Sequence, residues 1–205
     1  MIKQTVNGGL LVVVEGLDGA GKSSVLQQLA GYCEEKGFSV ILSREPTDGR
    51  WGKQIRASAM TGRLPLEAEF ELFIRDREDH VENLILPALR KGSVVILDRY
   101  YFSSAAYQGA RGLDPDEILA RNEVFAPAPD LVLLLDCAAE VSLERIRKRG
   151  SVPDEFERLE ALEAVRRIFL AIKRPFIQVV DAGKSAVEVA GDCQSHLDRV
   201  LRAKL

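Results

Sequence analysis

Short apolar runs recur along the chain at positions 10–14, 40–42, 94–97, 131–135 and 176–180. Within these runs apolar residues follow one another without polar alternation, and leucine and β-branched side chains dominate. That pattern predicts strands covered on both faces, and the stretches between them are long enough for helices. The expected class is therefore α/β, a three-layer fold with a five-stranded parallel sheet built from βαβ units. Gly37 follows Glu34-Glu35-Lys36 and Gly92 follows Leu89-Arg90-Lys91, each placed to end a helix after basic residues, and Gly150 is placed similarly. Pro127-Ala128-Pro129 predicts a loop before the fourth strand, and the periodicity of 186–201 predicts a helix covering the sheet.

A further helix is predicted around 70–85, with an apolar stripe of Phe70, Phe73, Ile74, Val81, Leu84 and Ile85. Arg77 lies one turn beyond Phe73 on that side. The pair could stack a ring on a base and read an acceptor on its edge, or Phe73 could be plain core beside an arginine reaching for solvent.

Composition narrows the picture. A chain of 205 residues that is 46% hydrophobic predicts one domain, 1–205, with a well-buried core. The net charge of -3 supplies no global attraction for nucleic acid, so any polyanion site must be local. Cys33, Cys137 and Cys193 are too few and too scattered for a disulfide framework or zinc site, which fits a reducing cytoplasm. The first residues carry no long apolar segment, and no run is long enough to span a bilayer, so neither signal peptide nor membrane segment is expected.

The strongest chemical signal follows the first strand. Gly16-Leu17-Asp18-Gly19-Ala20-Gly21-Lys22-Ser23 matches GxxxxGK[ST] between a strand and a helix, with Ser24 next. In such a loop the glycines turn backbone amides around β- and γ-phosphates, Lys22 adds a mobile charge, and Ser23 offers a hydroxyl to Mg2+. A dinucleotide fingerprint would need glycine where Asp18 stands. Two more strand ends carry charge. Asp98-Arg99-Tyr100 could hold magnesium through water and clamp a phosphate, or form only a surface ion pair. Arg44-Glu45-Pro46 projects an arginine toward the same edge, where it could meet an acceptor phosphate, or remain solvated beside a proline turn.

Taken in order, EGLDGAGKSS, REPTDG, LFIRDRE, DRYYFSSAAYQG and PDLVLLLD resemble the thymidylate kinase family, in its bacterial and archaeal form, over nearly the whole chain. The resemblance implies a P-loop nucleoside monophosphate kinase fold that transfers the γ-phosphoryl group of ATP to dTMP, with Mg2+, in a cytoplasmic homodimer. It implies that Asp18 binds the sugar 3′-hydroxyl, Arg44 and Arg99 hold the dTMP phosphate, Phe73 stacks on thymine and Arg77 contacts O4. Ser104 would touch the thymine ring with Gln108 close by, Tyr107 would crowd the 2′ position, and Asp98 would serve the magnesium shell. Gly19 stands where an arginine could, so positive charge for the transferring phosphoryl group must come from a short lid at 147–158. There Glu155 occupies the place of the family's lid arginine, leaving Arg149 and Arg158 as catalytic candidates and Arg147 as a third. Arg145 and Lys148 are expected to be a solvated helix end. His80 and His196 are expected to be ordinary helix residues, and Trp51 to sit in the loop after the second strand as packing or anchor. A kinase for another deoxynucleotide or nucleoside would share the cradle but not the base pocket; a P-loop ATPase switch would share the cradle alone.

Overall fold

The computed structural model describes residues 4–62, 64–148 and 155–205, with side chains in the last segment from Leu159 onward. Its five strands are β1 (Leu10–Gly16), β2 (Val40–Arg44), β3 (Val94–Asp98), β4 (Leu131–Asp136) and β5 (Ile177–Asp181). They form one parallel sheet in the order β2-β3-β1-β4-β5. β1 shows why its run does not alternate: Leu11 and Val13 enter the core on one face, while Leu10, Val12 and Val14 enter the core on the other. The expectation of strands buried on both faces holds for β1, β3 and β4. It fails for β2 and β5, which are edge strands with half-covered faces; Leu42 and Val179 are 40% and 51% exposed.

The helices are α1 (Lys22–Glu35), α2 (Arg50–Thr61), α3 (Leu66–His80), α4 (Leu86–Arg90), α5 (Tyr101–Gly109), α6 (Pro115–Glu123), α7 (Ala139–Arg147), α8 (Glu155–Ala171) and α9 (Ala186–Lys204). A π-helical turn, Val81–Ile85, joins α3 to α4, so the helix predicted around 70–85 continues past its α-helical end. α1 and α9 cover one face of the sheet, with Cys33, Cys193 and Leu197 in their core; α3, α5, α6 and α8 cover the other. Ser185 and Glu188 close a capping box at the start of α9. Gly37 and Gly92 end their helices with φ of 85° and 73°, as their positions predict. Gly150 lies outside the described residues.

Trp51 departs from expectation. It sits in the first turn of α2 rather than in a loop, with the guanidinium groups of Arg50 and Arg75 at 4.2 and 5.1 Å from its ring. α2 starts there because Gly52 lets the helix approach the Thr47 carbonyl; a Cβ at that position would lie 1.9 Å from its oxygen. Among the described residues no helix is long and apolar enough to cross a membrane.

Candidate active site

The site lies at the carboxyl edge of the sheet, where β2 and β3 end level with one another and β1 runs two residues further: Asp98 pairs in register with Val14 on one side and Arg44 on the other. The loop leaving β1 carries Gly16, Gly19 and Gly21 at φ of 137°, 85° and 100°. A Cβ on Gly16 would lie 2.4 Å from the Leu135 carbonyl oxygen, so the turn requires glycine. Leu17 and Ala20 point into the core and contribute backbone only. The recess beneath this loop is lined by Asp18, Gly19, Gly21, Lys22, Ser23, Ser24, Asp98 and Arg99. Lys22 is buried and donates to the carbonyls of Gly16 at 3.1 Å and Leu17 at 2.8 Å. Burial, together with the nearby Arg99 charge, pulls its pKa down to about 8.

Asp98 and Ser23 share this recess and a neighbouring one, and the Asp98 Oδ1 is buried with no hydrogen-bond partner among the described residues. A hydroxyl and a spare carboxylate oxygen are hard oxygen donors, so the residues present fit a magnesium ion that takes its other ligands from phosphate and water. Among the described residues no group of three or more His, Cys, Asp or Glu is arranged to hold a metal by itself.

Arg99 connects the phosphate recess to a second, larger cleft of about 270 Å3. Its backbone takes φ of 70°, a conformation that costs a non-glycine residue free energy and is tolerated here because the surroundings hold it. Its own N–H donates to the Val14 carbonyl, and the wholly buried Glu15 carboxylate accepts from Tyr100 N at 2.8 Å, Ser103 N at 3.1 Å and Ser103 Oγ at 2.6 Å. Glu15 thus caps α5 from β1, and burial raises its pKa against the opposing pull of Arg99 and Ser103. The Arg99 guanidinium donates to Ser103 Oγ at 2.9 Å and to Asp18, and lies 5.0 Å from the Tyr107 ring centroid.

The larger cleft is lined by Asp18, Glu45, Pro46, Glu69, Phe73, Arg77, Arg99, Tyr100, Ser103, Ser104, Tyr107, Gln108 and Arg111. Phe73 is only half-buried and faces the cleft, which decides against its being plain core. Arg77 does not reach for solvent: it is 1% exposed, donating from Nε to Glu45 Oε2 at 2.8 Å, from Nη1 to Asn122 Oδ1, and from Nη2 to Ser104 Oγ at 3.2 Å. Gln108 donates to Glu69 at 3.3 Å, an acceptor that fixes its amide orientation and leaves its buried Oε1 without a partner among the described residues.

Of the residues singled out from sequence, Asp18, Phe73, Arg77, Arg99, Ser104, Tyr107 and Gln108 share this cleft. Arg44 does not line it. Arg44 is exposed, paired with Asp48 at 2.9 Å, and borders the recess shared by Ser23 and Asp98. Arg149 lies outside the described residues, and of Arg158 only its place in α8 is described. Arg147 ends α7. Arg145 is not a solvated helix end: it donates to the Gly19 carbonyl at 3.4 Å and the Ala182 carbonyl at 3.2 Å, packing α7 onto the phosphate loop. Lys148 does extend into solvent, paired with Glu144. Sequence reasoning missed Glu15, Glu45, Glu69, Asn122 and the buried His80. Their partners lie tens of residues away, and no local spacing signals them.

The chain is similar to known proteins over most of its length. A thymidylate kinase of Xanthomonas euvesicatoria pv. vesicatoria (strain 85-10) is 53% identical over 182 residues, covering 89% of this chain and 80% of that protein. A thymidylate kinase of Akkermansia muciniphila is 51% identical over 182 residues, covering 89% of this chain and 88% of its own length. The sequence profile of thymidylate kinase matches residues 14–192, a span that runs from the end of β1 through both recesses and into α9. The chain belongs to the thymidylate kinase family.

Proposed function

We infer that the chain transfers the γ-phosphoryl group of ATP to the 5′-phosphate of dTMP, giving ADP and dTDP. The observation that carries this reading is the continuity of the two cavities: Arg99 and Asp18 line both the phosphate recess and the base-sized cleft. An acceptor lying in the cleft would therefore present its phosphate to the donor's.

Thymine suits the cleft's polar groups. The Phe73 ring offers a stacking face, Arg77 donates to O4, and the unpartnered Gln108 Oε1 accepts from N3–H. Cytosine carries an amino donor and a bare ring nitrogen at those two edges, so both contacts would turn repulsive. Ser104 holds Arg77 from the opposite side. Asp18 accepts from the 3′-hydroxyl, and Tyr107, fixed by the Arg99 guanidinium and the edge-on Phe169 ring, fills the space a 2′-hydroxyl would need.

The phosphoryl group passes directly between substrates, so the protein's part is positioning and charge. Lys22 and Arg99, which both line the recess, offset the charge on the phosphates. Ser23 and Asp98 would hold magnesium, which would supply positive charge and Lewis-acid stabilisation for the phosphates there. Arg149 or Arg158, within a lid at 147–158, completes the positive shell and excludes water. Arg44 reaches the acceptor phosphate by leaving Asp48, an exposed partner that holds it only weakly. As part of the same proposal the chain works as one catalytic domain in the cytoplasm, as a homodimer joined through helices flanking the sheet, which the family resemblance supports.

Steady-state ADP release with dTMP, dUMP, dCMP, dGMP and ribothymidylate as acceptors tests this. We expect dTMP to give the highest kcat/KM, with dCMP and ribothymidylate lower by at least about tenfold, the effect of one unpaired buried polar group. A preference for dCMP would overturn the assignment of Arg77 and Gln108.

A further inference from the structure

His80, the last residue of α3, joins the base cleft to the sheet without touching the cleft itself. Its ring is buried, with Nδ1 at 3.0 Å from Glu45 Oε1 and Nε2 at 2.8 Å from Ser43 Oγ. Glu45 turns its other oxygen, Oε2, to Arg77, at 2.8 Å from Nε and 2.7 Å from Nη2. The Glu45 side chain is 3% exposed, so water does not compete for it. A carboxylate facing an arginine is an acceptor, so the ring presents an N–H to it from Nδ1, and Nε2 shares a hydrogen bond with the Ser43 hydroxyl. The order is Ser43 on β2, His80 on α3, Glu45 in the loop after β2, then Arg77 in the cleft.

The consequence lies in the donor count of Arg77. Among its five N–H groups, Nε donates to Glu45, one on Nη2 donates to Ser104 and one on Nη1 donates to Asn122, while Nη2 also lies 2.7 Å from Glu45 Oε2 as an ion pair. The second N–H of Nη1, away from the Glu45 ion pair, is left to read a base. Its direction is set by where Glu45 Oε2, Asn122 Oδ1 and Ser104 Oγ hold the guanidinium, and the position of Oε2 depends on how the Glu45 carboxylate is held. A carboxylate held at one oxygen can pivot; held at both, it cannot.

We propose that His80 is a specificity-determining positioning residue: by fixing Glu45 it aims the Arg77 Nη1 N–H at the 4-position of the acceptor base. This deepens the reading of the cleft given above and rests on it. The shared residue types along α3 do not reveal it, because a lone histidine at a helix end has no ligand spacing to mark it.

The test measures dTMP and dCMP kinetics for the parent, His80→Leu, His80→Asn and His80→Gln. In His80→Leu the KM for dTMP should rise about tenfold and the dTMP-to-dCMP ratio of kcat/KM should fall about tenfold, with kcat within about twofold and the KM for ATP unmoved. His80→Asn places an amide donor where Nδ1 stands and should keep most of the ratio; His80→Gln reaches toward Ser43 instead and should lose it. A parent-like ratio in His80→Leu, whatever its melting temperature, would overturn the proposal. Should His80→Leu fail to fold, equal ratios in the Asn and Gln variants would do the same. The two readings fail separately: a parent enzyme that prefers dCMP sinks the assignment of the cleft, whereas a dTMP-selective parent with a dTMP-selective His80→Leu sinks only the role of His80.

Discussion

Replacing Lys22 by Ala is expected to lower turnover by about a thousandfold or more, the scale of losing one fixed charge aimed at a transferring phosphoryl group, while leaving the fold intact. The structure separates these two outcomes. Among the described residues Lys22 donates to the carbonyls of Gly16 and Leu17 alone, and its lowered pKa of about 8 means that folding disfavours its charged form. A base with a lowered folded pKa contributes no charge-linked stability near neutral pH, so the Ala variant should melt within a few degrees of the parent. The same shift predicts a pH dependence. Between about pH 7 and about pH 9 the protonated fraction of Lys22 falls from about nine-tenths to about a tenth. ATP affinity should therefore fall about tenfold over that range, and the Ala variant should lack that component. Calorimetric titration with ATP at several pH values and a thermal melt measure both. Undiminished turnover in the variant would defeat the assignment of the phosphate loop.

Arg77→Leu is expected to fail differently, through stability as well as binding. The substitution leaves the Glu45 carboxylate buried with only His80 as a polar partner. Stranding one member of a buried ion pair costs about 3–5 kcal/mol, so the denaturation midpoint should drop sharply. Selectivity for dTMP should fall with it. The double variant Arg77→Leu/Glu45→Leu removes the stranded charge and should recover part of the stability without recovering the preference for dTMP. Equal stability of the Arg77→Leu variant and the parent, measured by urea unfolding, would contradict the buried network.

The two halves of the site differ in how far local sequence could show them. The phosphate loop was legible because its chemistry is contiguous: strand, glycines, lysine and serine occur in one stretch, and the glycines sit where the backbone needs positive φ. The three central strands were legible because two-sided burial leaves an unbroken apolar run. The edge strands were misjudged because β2 carries much the same residues but is half-exposed. α2 was missed behind Gly49, Trp51 and Gly52, although its buried Gly52, Ile55 and Ser58 recur every third residue. The base pocket was nameable only through family resemblance: Arg77 meets Glu45, Ser104 and Asn122, which lie 32, 27 and 45 residues away. Arg145 was read as solvated for the same reason, since its contact with Gly19 spans 126 residues.

The central claim is that the two recesses joined at Arg99 and Asp18 bring a donor phosphate to an acceptor phosphate. Incubation with γ-32P-labelled ATP and separation of the products measures this most directly. With dTMP present, the label should appear in dTDP, and ADP release should be negligible until dTMP is added. Label appearing as inorganic phosphate at the same rate with and without dTMP would contradict the account and mark the chain as an ATPase.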